Sequence, residues 1–175
     1  RFYDHSGVDL VGIARAARAQ LSEARSQGAS TITMQVARNF YLSTEKTLTR
    51  KVYEVLLTWK IESLLTKDQI LEAYMNQIFL GQRAYGFAAA SDIYFGKPLK
   101  DVTVAEAAML AGLPKGPSIY NPIVNPKRAT ARQQYIIDRM LDNRFITAEQ
   151  AAAARTEQLR YKRPSEGAGR PASVA

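Results

Sequence analysis

The chain has 175 residues, enough for one domain with a sizeable core. Its 24 Lys and Arg against 16 Asp and Glu give a formal charge of +8, which points to an anionic partner: nucleic acid, an anionic membrane surface or a phosphorylated substrate. Zero Cys and a single His exclude disulfides, thiol catalysis, Cys-based metal sites and a two-His relay, and no apolar run is long enough to span a bilayer.

The chain opens at Arg1 without a start Met and reads as a piece of a longer protein. Residues 1–7 end in Gly7 and close a helix or form a turn. Over residues 8–25, Val8, Val11, Ala14, Ala17 and Leu21 recur at helical spacing, with Arg15, Arg18 and Arg25 off that stripe. On pattern alone this helix packs on a core with a solvated basic face; a basic amphipathic stretch also suits a membrane surface. Residues 26–33 form a loop rich in small and hydroxyl residues that runs into a short helix over 34–41. Ser43-Thr44-Glu45 opens the next helix, which reaches about Leu65 with Leu48, Val52, Val55, Leu56, Trp59 and Leu64 as its core stripe.

Three capping boxes punctuate the rest. Thr66 to Gln69 opens a helix through Ile70, Leu71, Tyr74 and Ile78, Thr103 to Glu106 an Ala-rich one to Ala111, and Thr147 to Gln150 the last, to about Glu157. Between them lie a short helix at 86–95, ended by Gly96-Lys97-Pro98, and a breaker at 112–117. A helix over 127–142 follows, with Ala129, Gln133, Ile136 and Met140 on one line. After Tyr161 the composition collapses to Pro, Ser, Gly, Ala and Arg. No β-alternation or internal repeat appears, so the fold is mainly α, a single globular domain.

Chemistry can sit at three places. Ser30, Thr31 and Thr33 lead into Arg38 and Asn39; N-capping is the simpler account of those hydroxyls. Arg50 and Lys51 are adjacent, and Glu54 shares a helix face with Arg50, a spacing that also makes an exposed ion pair of a few tenths of a kcal/mol. Glu72 and Asn76 lie four apart after Lys67, which a buried polar helix contact would also explain. No nucleophile elbow, Ser-His-Asp set, dinucleotide fingerprint or phosphate-binding P-loop occurs. Basic residues are not interleaved with aromatics, so no nucleic-acid partner is expected.

In combination these stretches resemble the peptidoglycan glycosyltransferases, glycosyltransferase family 51. These are the polymerase domains of class A penicillin-binding proteins and the monofunctional transglycosylases. Phe2, His5 and Gly7 match the tail of the first of five motifs, Gly28 to Asn39 the second, and Arg50-Lys51-x-x-Glu54 the third. Lys67-x-x-Ile70-Leu71-Glu72-x-Tyr74-x-Asn76 matches the fourth, and Ala105 to Pro114 the fifth. Together they cover residues 1 to about 122. Met34 stands where most members have Gln, and Arg38 where they have Lys, which is similar to the 1a-type class A proteins. The first-motif Glu, the family's general base, would lie three residues before Arg1, so the chain by itself is expected to be inactive.

The resemblance implies a lysozyme-like, mainly α glycosyltransferase fold with a small membrane-facing jaw subdomain beginning at residues 8–27. That favours the membrane-surface reading of the basic amphipathic helix. It implies a domain over residues 1–161, with 162–175 as a linker or disordered tail. The implied reaction is inverting polymerisation of lipid II into β-1,4 glycan, releasing undecaprenyl pyrophosphate. In it Arg38, Arg50 and Lys51 are the cations, and Ser30, Thr31, Thr33 and Gln35 line the sugar and phosphate site. Glu54 is the second carboxylate, orienting those cations or a divalent ion (Mg or Mn) at the pyrophosphate. Asn39, Glu72 and Asn76 scaffold the cleft with Phe2, Gly7 and Lys67, and His5 holds the first-motif loop. No organic cofactor is implied. The implied partners are lipid II, the growing glycan, the bacterial inner membrane at its periplasmic face, a C-terminal transpeptidase domain and an activator lipoprotein. Two rival readings are a lysozyme-like lytic enzyme and a non-enzymatic basic domain that binds anionic lipid or nucleic acid.

Overall fold

Threonines set most of the helix starts. The computed structural model describes residues 2–21, 30–40 and 47–162. Within them Thr31 caps α2 (Ile32–Asn39), Thr47 caps α3 (Leu48–Leu64) and Thr66 caps α4 (Lys67–Gln77). Thr103 caps α6 (Val104–Gly112) and Thr147 caps α8 (Ala148–Thr156). Each hydroxyl accepts an otherwise orphaned backbone N–H, worth about 1 kcal/mol apiece. All three expected capping boxes are present, with the Gln69, Glu106 and Gln150 side chains reaching back to the cap backbone. The first helix, α1 (Leu10–Leu21), starts at Asp9, whose carboxylate accepts from Gly12 N–H at 3.0 Å. Between α4 and α6, α5 (Phe87–Phe95) ends on Gly96 in the left-handed region, and α7 (Pro126–Asp142) opens with its proline in the first turn. Ser43-Thr44-Glu45, Gly28, Ala29 and Arg25 lie outside the described residues, as does the expected tail beyond Lys162.

The chain divides into two compact units, Arg1–Ile78 and Phe79–Ala175. In the first, Val36 and Ala37 of α2, Ile61 of α3, and Ile70 and Tyr74 of α4 form the buried core, with Phe2 and Ile32 packed against it. In the second, Ala105 and Ala108 of α6, Ile137 of α7, Ile146, and Ala151 and Ala154 of α8 form another. Alanines at these positions let α6, α7 and α8 approach closely. The buried Gln133 amide is satisfied by donating to Ala105 O at 2.8 Å. Along α7 the buried line is Ala129, Gln133 and Ile137, while Ile136 and Met140 are only partly covered. Among the described residues no strand forms; residues 79–86 make an antiparallel bridge, Phe79 to Tyr85, pinned by the Tyr94 hydroxyl donating to Leu80 O at 2.8 Å.

The expected core stripe of α3 is reversed. Leu48 is 89% exposed and Trp59 52%, and Val52, Leu56 and Leu64 are exposed as well. With 3.6 residues per turn, Leu48, Val52, Leu56 and Trp59 fall on one side, and Lys51, Glu54, Thr58 and Ile61 on the other. It is the second side, carrying Glu54, Thr58 and Ile61, that is buried. Hydrophobic periodicity locates an apolar face but not what covers it, and here a polar seam turns inward against α2.

A buried carboxylate between two cations

Glu54 is the centre of that seam. Its side chain is 3% exposed, and its Oε1 accepts from Lys51 Nζ at 2.8 Å and from Arg38 Nη2 at 3.1 Å. Arg38 Nε lies 3.4 Å from Oε2. Arg38 comes from the last turn of α2 and Lys51 from the turn before Glu54 on α3. Ser30, just ahead of the α2 cap, joins them: its Oγ accepts from Arg38 Nη2 at 3.0 Å and from Lys51 Nζ at 3.4 Å. Burial pushes the Glu54 carboxyl up, but the hydrogen bonds and charges of Arg38 and Lys51 outweigh it and hold the group below the usual carboxylate range. Two cations against one carboxylate leave a net positive charge, and both cations keep 45% of their side-chain surface open. Such a cluster is preorganised to receive an anion, since its donors are already oriented.

The exposed Arg50–Glu54 ion pair is not formed. Glu54 turns to Arg38 and Lys51 instead, and the Arg50 Nε is buried with no hydrogen-bond partner. Thr33 does not line an open site: it is fully buried, and its hydroxyl donates to Glu62 at 2.6 Å. Thr31 is half-buried and committed twice, as the α2 cap and through its hydroxyl to Gly7 O at 2.6 Å. Gln35 is half-buried and Asn39 exposed at the end of α2.

The N-terminal turn is tied to the same unit. His5 accepts from Gly7 N–H through Nδ1 at 3.2 Å, and its carbonyl accepts from Lys67 Nζ. That ammonium sits 4.6 Å from the Phe2 ring centroid. Gly7 has φ +84, and a Cβ there would lie 2.6 Å from Thr58 Cγ2, so the turn presses backbone directly on α3. Glu72 and Asn76 are exposed, which removes the buried polar contact as their explanation. They line a shallow pocket of about 330 Å³ with Asp68, Leu71 and Met75 on the outer side of α4, among which neither Glu54 nor its cations appear.

Among the described residues no three His, Asp or Glu converge as ligands. The carboxylate of the cluster already faces two cations, a donor set that suits an anion and not a divalent metal ion. Sequence reasoning missed Glu62, which lies on the inward side of α3 eight residues after Glu54; that spacing was the available signal.

A transglycosylase family model matches residues 1–141. Penicillin-binding protein 1A of Neisseria gonorrhoeae is 62% identical over 164 residues, 93% of this chain and 21% of that protein. A Cupriavidus necator protein named for transglycosylase activity is 60% identical over 162 residues, covering 93% of this chain and 70% of its own length. The crystal structure of penicillin-binding protein 1A from Haemophilus influenzae superimposes with a TM-score of 0.54 at 36% identity, over 75% of this chain and 17% of that one. The chain thus spans about a fifth of the penicillin-binding relatives it matches.

Proposed function

The chain belongs to the transglycosylase family, and on that premise we propose that it polymerises lipid II into β-1,4-linked glycan strands. The 4-hydroxyl of the acceptor sugar attacks C1 of the donor, the C1–O bond to undecaprenyl pyrophosphate breaks with inversion, and the leaving group takes the electron pair. The observation that carries this reading is Glu54 buried between Arg38 and Lys51. Negative charge develops on the departing pyrophosphate, and fixed cations aimed at it are usually the largest electrostatic contribution to such a step. A lytic enzyme cleaving a sugar–sugar bond releases no pyrophosphate and gives these cations no task.

We assign Arg38 and Lys51 to the pyrophosphate, Arg50 to the donor phosphates, and Ser30 and Gln35 to the border of the site. Glu54 orients the cations. It is a poor general base, because Arg38 and Lys51 lower its affinity for a proton and its oxygens already accept from both cations. By resemblance, the base is a Glu three residues before Arg1.

Work at a membrane surface is supported by the exposed apolar side chains of α1, Leu10, Val11 and Ile13, beside exposed Arg15 and Arg18. Leu48, Val52, Leu56 and Trp59 of α3 are exposed apolar side chains as well. No helix among the described residues is long and apolar enough to cross a membrane. A transpeptidase domain in the same polypeptide and an activator lipoprotein are proposed by resemblance to penicillin-binding proteins.

Incubating the intact protein with lipid II tests the reading. Lengthening glycan with release of undecaprenyl pyrophosphate supports it. Shortening of preformed glycan would establish the lytic reading instead, and salt-sensitive DNA binding without any response to lipid II would establish neither enzyme.

A further inference from the structure

Glu62 joins four pieces of the first unit. Its side chain is 11% exposed, and its Oε1 accepts from Thr33 Oγ1 at 2.6 Å and from Lys67 Nζ at 2.8 Å. Thr33 lies in the first turn of α2, the helix that ends with Arg38, and Lys67 is the first residue of α4. The same Lys67 ammonium donates to His5 O, and a Cβ on Gly7 would come within 2.8 Å of Glu62 Cγ. One carboxylate on α3 thereby fixes α2, α4 and the Phe2–Gly7 turn. No contact puts it in the Arg38–Lys51–Glu54 cluster.

The geometry matters most for α2. An eight-residue helix cannot hold itself by backbone propensity, so its rotation and height are set by tertiary anchors. The polar anchors of its first turn are Thr31 to Gly7 and Thr33 to Glu62, and its last turn is held by Arg38 to Glu54. The first two act at the N-terminal end, and they set the backbone position from which Arg38 reaches Glu54 at the far end. A small rotation at Thr33 is therefore carried along the helix to Arg38.

We propose that Glu62 is a positioning residue of the transfer site, acting through Thr33 on the aim of Arg38 and through Lys67 on the Phe2–Gly7 turn. This rests on the glycosyltransferase reading above. The pyrophosphate of lipid II is charged already and gains further charge as the C1–O bond breaks, so misaiming Arg38 costs most in the transition state, and loss of Glu62 lowers kcat by a larger factor than it raises KM. A misplacement of about 1 Å is enough to cost on the order of 10²-fold.

The test measures lipid II polymerisation by the intact protein carrying Glu62→Leu, Glu62→Gln or Thr33→Val, with thermal unfolding of each. Glu62→Leu is expected to lower kcat at least about tenfold with a smaller rise in KM. Glu62→Gln keeps an acceptor oxygen for Thr33 and Lys67 and is expected to restore most of the rate. Thr33→Val removes only the α2 anchor and leaves the Glu62–Lys67 pair, so it decides the matter if Glu62→Leu does not fold; its kcat is expected to fall in the same direction. Wild-type kcat in Thr33→Val and Glu62→Leu, or a loss confined to thermal stability, overturns the proposal while the glycosyltransferase reading stands. Absence of any lengthened glycan from the unsubstituted protein overturns both.

Discussion

Lys51 Nζ stands 2.8 Å from Glu54 Oε1, one turn apart on α3 and on its inward side. The pair has a pH signature. The Glu54 carboxyl is held below its ordinary value of 4.5, so the stability it contributes is fully present above that value and is lost as pH falls through the lower folded one. The unfolding temperature of the unsubstituted protein should therefore exceed that of Glu54→Gln near neutrality, with the gap closing below about pH 4.5. A gap that stays constant down to pH 2 would show that the charge of Glu54 contributes nothing to folding.

Arg50 offers a sharper separation of binding from stability. Its Nε is buried and lacks a partner, an arrangement that costs free energy unless something at the site repays it. Arg50→Ala is expected to raise the KM for lipid II several-fold with little change in thermal stability. A lowered unfolding temperature with unchanged KM would make Arg50 a packing residue.

Gly7 is fixed by sterics as well as backbone. Its φ is +84, and an added Cβ would meet Thr58 Cγ2 at 2.6 Å and Glu62 Cγ at 2.8 Å. Gly7→Ala should destabilise the first unit by about 1–3 kcal/mol, through both the left-handed backbone and the overlap. Urea unfolding followed by circular dichroism measures this, and a change under about 0.5 kcal/mol would mean the turn moves freely away from α3.

Much of this was legible in the chain. Capping boxes at Thr66, Thr103 and Thr147 are local chemistry, written in four consecutive residues, and all three form. Glu54 could be picked out from its place after Arg50 and Lys51, and the resemblance set it to orient Arg38, Arg50 and Lys51; in the structure it pairs with Arg38 and Lys51. A helix period allows Arg50, and only the fold brings in Arg38 from α2. The inversion of α3 has the same origin. Leu48, Val52, Leu56 and Trp59 make a clean apolar stripe, and a stripe buried in a core and one facing outward have the same period. The Thr33–Glu62 contact stayed hidden because its two residues are 29 apart in the chain.

The central claim is that Glu54 holds Arg38 and Lys51 in place for a leaving pyrophosphate, and Glu54→Gln tests it most directly. The amide keeps the size but removes the negative charge, and it turns an N–H₂ or a single neutral oxygen toward the two cations. Steady-state polymerisation of lipid II by the intact variant is expected to fall at least about tenfold in kcat/KM, with the helical circular dichroism unchanged. Glycan synthesis near the unsubstituted rate would contradict the claim.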